Sequence, residues 1–186
     1  MTTMTPKQFC AHFDACSDGA EFAAKFSSMA EVWDACPRTD WLLWILDRLE
    51  IRDDKKLRLF ACWCVRNTKL ADGRTVWDLL TDERSRKAVE VAEAFACGEA
   101  TQEELDAARD AAYAAWSAAY AEYAAYAAYA AYAEYAAGAA GAAWSAAYAA
   151  WSAGAAGDAA GAAARKQQAD HLRTMFANPF KQEASK

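Results

Sequence analysis

The densest group of chemistry-bearing residues is the run TDERSRK at positions 81–87. Thr81, Asp82, Arg84, Arg86 and Lys87 bring a hydroxyl, a carboxylate and three cations to one expected helix start. Backbone N–H groups point outward at a helix N-terminus, so cations beside it suit a bound phosphate. Arg66 and Arg74 would enlarge the basic group if the fold gathers them. The same run also reads as a plain capped helix with a solvated charged face, its acids complementing the helix dipole. Trp63 and Trp77 read as core residues or as stacking surfaces.

A second candidate surface is aromatic. From Tyr120 to Tyr135 six tyrosines stand at steps of three, with alanine almost everywhere between them. All eight tyrosines of the chain lie between positions 111 and 164, with Trp116, Trp144 and Trp151. Alanine is the strongest helix former. In an α-helix a step of three residues falls back about 60°. The tyrosines therefore spiral around the rod instead of forming one stripe. Such rings either fill gaps between close-packed helices, across a homo-oligomer interface for example, or offer stacking and hydrogen-bonding edges to a ligand. Trp116, Tyr120, Tyr123, Tyr148 and Trp151 are the members assigned to ligand stacking.

Nothing else forms a reactive set. The chain lacks HExxH, GxSxG, a P-loop and a Gly-rich dinucleotide fingerprint. His12 falls between Cys10 and Cys16, a conceivable metal corner. Cys62 and Cys64 flank one tryptophan, which is not a zinc spacing. The six cysteines read as buried structural thiols, since no signal-type apolar run opens the sequence. His171 sits in a charged helix and reads as a surface residue. No catalytic residue, metal or cofactor is assigned.

Charge narrows the partners. A formal net charge of -6 argues against duplex DNA and anionic membrane. The uncharged stretch from Tyr135 to Gly157 is alanine-dominated, and alanine is barely favourable in a bilayer, so no span is expected.

These residues are carried on helices throughout. Thr5-Pro6 opens the first helix, and Asp18-Gly19 reads as a turn before a helix from Ala20 to Phe26. Ser28 to Glu31 has capping-box form, and Pro37 ends that helix. Thr39 or Asp40 caps the next, with Trp41, Ile45 and Leu49 on a ladder. Asp53 caps a helix facing the core with Leu57, Leu59, Phe60, Cys64 and Val65. Thr81 starts another, which Gly98 closes. Thr101 to Glu104 is a second capping box and launches the alanine-rich region. A continuous rod there would be roughly 80 Å long, so a fold-back near Gly138 and Gly141 is expected. A last helix stops before Pro179.

The runs KLRLFACWCVRN and VWDLLTDERSRKAVEVAEAFACGEATQEELDAARDAA, followed by an alanine array, resemble a group of alanine-rich bacterial and phage proteins. Some of that group are designated putative immunity proteins. The upstream block MAEVWDACPRTDWLLWILDRL resembles the phage-type members. Their alanine helices often carry histidines, and this array has none. The resemblance implies an all-α fold and a setting of conflict between phage and bacterium.

The expectation is one all-α domain over 1–178, a helical bundle whose short-helix half (1–100) packs on two long alanine-rich helices (101–178). Residues 179–186 are expected to form a flexible tail. The expected function is non-catalytic binding in the cytoplasm, by a homo-oligomer that sequesters a small anionic, nucleotide-type immune signal. The alternatives are inhibition of a partner protein through the aromatic surface, and cleavage of such a signal.

Overall fold

A computed structural model describes residues 4–69, 72–121 and 158–181, with side chains for 4–69, 72–114 and 161–181. The described residues are helical, with no strand and only an isolated bridge between Lys69 and Thr75. The fold class is all-α. The tyrosine series beyond Ala121, the fold-back at Gly138 and Gly141 and the uncharged stretch to Gly157 lie outside the described residues. Among those described, no helix is long and apolar enough to cross a membrane.

Helix α1 (Pro6–His12) opens as expected: the Thr5 hydroxyl accepts from the Gln8 N–H and the Gln8 side chain accepts from the Thr5 N–H. Its end is made by Asp14, at φ 56°. There the Ala15 N–H reaches back to the Cys10 carbonyl at 2.9 Å and turns the chain. Asp14 does the turning that Asp18-Gly19 was expected to do. Asp18 and Gly19 instead lie in the first turn of α2 (Ser17–Ala23), which starts three residues earlier than expected.

Helix α3 (Met29–Ala35) begins at Ser28, whose hydroxyl accepts from the Glu31 N–H. The Glu31 carboxylate accepts from the N–H and hydroxyl of Ser27, one residue before the expected box partner. Helix α4 (Thr39–Arg48) corrects the sequence reading of its start. Neither Thr39 nor Asp40 caps it. Thr39 is fully buried and donates to the Arg165 carbonyl at 3.0 Å, and Asp40 binds Arg38.

Helix α5 (Asp54–Asn67) is capped by Asp53, as expected. It serves two cores. Phe60, Ala61 and Cys64 join Phe9, Trp33, Leu42 and Leu46 in one. Cys62 and Val65 join Leu80, Val89 and Leu105 in the other. Leu59, expected in the core, is only half-buried, while Arg58 beside it is buried. The second core is completed by α6 (Val76–Leu79), α7 (Glu83–Cys97) and α8 (Gln102–Ala121). Asp82, one residue past the expected Thr81, caps α7. Gly98 closes it at φ 81°, as expected. The Thr101–Glu104 box is formed through both of its hydrogen bonds.

Helix α9 (Asp158–Met175) packs on α4 and α5. Its polar side chains finish the ends of other helices. Arg173 donates through Nε to the Trp33 carbonyl at 2.9 Å and through Nη2 to the Cys36 carbonyl, both at the C-terminal end of α3. Gln167 donates to the Asn67 carbonyl and the fully buried Gln168 to the Thr68 hydroxyl, at the end of α5. The last carbonyls of a helix have no partner within it, so the bonds from Arg173 and Gln167 supply what α3 and α5 lack.

His171 corrects the sequence reading as a surface residue. Its ring stacks on Trp63 at 3.8 Å and 11°, with Phe60 beyond. Burial holds its pKa below the ordinary 6.5. The unfolded chain therefore takes up the proton first as pH falls. The stability tied to the neutral ring is complete above about 6.5 and is lost as pH drops below it toward the folded value. His171→Phe keeps a ring on Trp63 without a titrating group. Urea midpoints should fall between pH 7.5 and 5.5 in the wild type and fall less in H171F; parallel curves would refute the stacked, neutral imidazole.

Candidate ligand pocket

The first four helices line a partly open cavity of about 410 Å³. Asp14 turns the chain so that α2 returns along α1, and Pro37 stops α3 so that α4 can close the far side. Phe9 and Cys10 come from α1, Phe22 and Ala23 from α2, and Met29 and Val32 from α3. Trp41, Trp44 and Ile45 come from α4. Gly19 forms part of the wall: a β-carbon there would stand 3.3 Å from Cys16 Sγ, with Trp41 next.

Ring contacts stiffen this lining. Phe22 and Trp41 meet at 5.5 Å, and Phe9 meets Trp44 edge-on at 6.1 Å. Arg38 lies over the Trp41 ring at 4.5 Å, a cation–π contact. Its Nε and Nη2 donate to the two oxygens of Asp40, and this pairing keeps the guanidinium firmly cationic. Among the described residues nothing accepts from Nη1. The Arg38 side chain is 39% exposed, so solvent and solutes reach it. Asp14 and Asp40 also line the space.

Three thiols border the cavity: Cys10, Cys16 and Cys36. Burial pushes Cys36 up to about 11, and its Sγ donates to the Arg38 carbonyl. Burial, and then the neighbouring Cys16, raise Cys10. Cys10 and Cys36 therefore stay protonated near neutral pH and are poor nucleophiles. No group of three His, Cys, Asp or Glu side chains among the described residues could hold a metal ion. His12 is exposed.

The basic residues singled out in the sequence lie elsewhere. Arg66 makes a bidentate pair with Glu93, at 2.7 and 2.8 Å. It also lies 4.0 Å over the Trp77 ring, and Arg86 covers the same ring at 5.7 Å. These two are thus brought together, at a tryptophan. Arg74 pairs with Asp72, Arg84 with Asp82, Arg86 with Glu83 and Lys87 with Glu90. Each of the five cations faces a carboxylate, and Asp82 accepts the Arg84 N–H at the start of α7. Trp116 and Tyr120 stand on α8, with side chains outside the described set. Tyr123, Tyr148 and Trp151 lie outside the described residues altogether.

Sequence reasoning missed the pocket. Its signals were present as Phe9 with Phe13, Phe22 with Phe26, and Arg38 three residues before Trp41. Each spacing puts two side chains side by side at a helix end, but none says that these ends converge. No protein-family model, curated protein or solved structure matches this chain.

All six cysteines are free. Cys10, Cys36, Cys62 and Cys64 are buried, whereas Cys16 and Cys97 are exposed, so the reading of all six as buried thiols fails at those two. Burial raises Cys62 to about 12 and Cys64 higher still. A chromogenic disulfide reagent at pH 8 should therefore titrate two thiols quickly in the native protein and all six in denaturant. A third fast thiol in the native state would contradict the packing around α1, α3 and α5.

Proposed function

We propose that this chain is a non-catalytic binding protein, and that the cavity among α1–α4 holds a small ligand with a flat apolar body and one anionic group. The observation that carries this is Arg38. A guanidinium stacked on Trp41, with one nitrogen uncommitted, stands beside a cavity of about 410 Å³ walled by aromatic rings. Cavities that bind small molecules have this volume range and this mix of apolar wall and few polar groups.

The electrostatics limit the ligand. Asp40 already offsets Arg38, Asp14 adds a second carboxylate to the lining, and the chain is acidic overall. A triphosphate would meet repulsion there. A ligand with a single negative charge would meet far less, which among nucleotide-type signals favours a cyclic mononucleotide. The protonated thiols of Cys10 and Cys36 support holding the ligand over attacking it. Sequestration of an immune signal by a phage-encoded protein in a host cell rests on the sequence resemblance over residues 31–112.

Binding is tested by calorimetry with a panel of cyclic mononucleotides, followed by heat denaturation and chromatography of the released ligand. At least one member should bind and return intact. Arg38→Ala should weaken it by roughly tenfold or more, as expected for a charge-assisted hydrogen bond worth about 1.5–3 kcal/mol. Trp41→Ala should weaken it comparably. A chemically altered ligand would overturn the non-catalytic reading. Binding that is indifferent to R38A, or no binding at millimolar ligand, would overturn the site.

A further inference from the structure

Arg58 is a cation that folding takes out of water. It stands on α5, facing away from the α1–α4 cavity's lining set, and only 5% of it is exposed. Its guanidinium lies 4.8 Å over the Phe95 ring of α7. Its Nε is fully buried and has no hydrogen-bond partner, and among the described residues no carboxylate pairs with it. The other arginines near this helix interface are neutralised. Arg66, eight residues on along α5, takes both oxygens of Glu93. Lys87 pairs with Glu90, which leaves neither of those α7 acids for Arg58. The Cys62 thiol lies nearby, but it donates to the Val89 carbonyl and stays neutral.

A buried charge without a counter-charge is among the costliest arrangements in a folded chain. An aromatic face relieves part of that cost, but it meets the guanidinium from above and leaves the buried in-plane Nε–H unmatched. Water would satisfy hydrogen bonds there without balancing the charge. An oxyanion does both, and a guanidinium edge fits a carboxylate or phosphate with two parallel bonds. We propose that Arg58 is the seat of an oxyanion site separate from the α1–α4 pocket, with Phe95 fixing the guanidinium and a phosphate or carboxylate group received along its edge. The site belongs to the interface of α5 with α7, so its occupant would tie these two helices together.

The test is thermal melting and calorimetry of the full chain with inorganic phosphate, and separately with acetate, at ionic strength held constant with chloride. One of these anions should raise the wild-type Tm in a dose-dependent way. Phosphate acting more strongly marks a phosphoryl ligand, and acetate acting alone marks a carboxylate. Arg58→Met keeps the apolar stem and removes the charge. It should melt no lower than wild type without added anion, and should bind the active anion at least tenfold more weakly. If R58M does not fold, Phe95→Leu leaves Arg58 in place and should weaken anion binding several-fold. No response to either anion in the wild type would overturn the proposal. So would an R58M response equal to wild type, or F95L binding unchanged.

Discussion

The fold hangs on hydrogen bonds that α9 gives to the ends of helices far upstream. Arg173, Gln167 and Gln168 reach α3 and α5 across 100 to 140 residues of sequence. Asn178, just past α9, adds the Ala30 carbonyl within α3. Helices α1, α2 and α3 are seven residues each, too short to persist alone in water. What keeps them is burial against α4, α5 and α9, and the supply of donors to carbonyls that would otherwise be stranded. Arg173 is well chosen for this, since its cation also meets the negative end of the α3 dipole. Leu172 and Ala169, both fully buried, fix the helix that carries it.

That dependence shapes the pocket. Its floor is the same core that α9 closes: Phe9, Met29, Val32 and Cys36 belong both to the cavity lining and to the main apolar cluster. The cavity is therefore built into a packed interior and does not need a moving loop to exist. Arg38 is positioned by the short link between α3 and α4, whose start Arg173 ties down through the Cys36 carbonyl. Loss of that tie would act on the cavity-lining guanidinium from a distance.

Aromatic–cation contacts recur through the structure. Arg38 covers Trp41, Arg48 approaches Trp44, Arg66 and Arg86 share Trp77, and Arg58 covers Phe95. Most of these arginines also hold an acid. The pattern lets an acidic chain place guanidinium groups at helix interfaces without excess positive charge. It also accounts for the pairing within TDERSRK: each of its cations has a carboxylate within three residues, and local pairing satisfies it where it stands. Arg58 differs because its neighbours in sequence are apolar on the buried face.

What the sequence alone determined is local. Helix starts at Thr5, Asp53 and Thr101 and the stop at Gly98 were legible, because a cap is a contact among residues three or four apart. The all-α class followed from the same short-range signals. Tertiary structure decided what depends on partners distant in the chain. Thr39 looks like a cap and is instead a donor to Arg165; His171 looks exposed and is stacked on Trp63. Arg58 is buried, and the rings of α1, α2 and α4 become one wall only when their helices converge. A residue's type sets what it can bond to locally, but burial and long-range partners are fixed by how helices meet, and no spacing within a single helix encodes that.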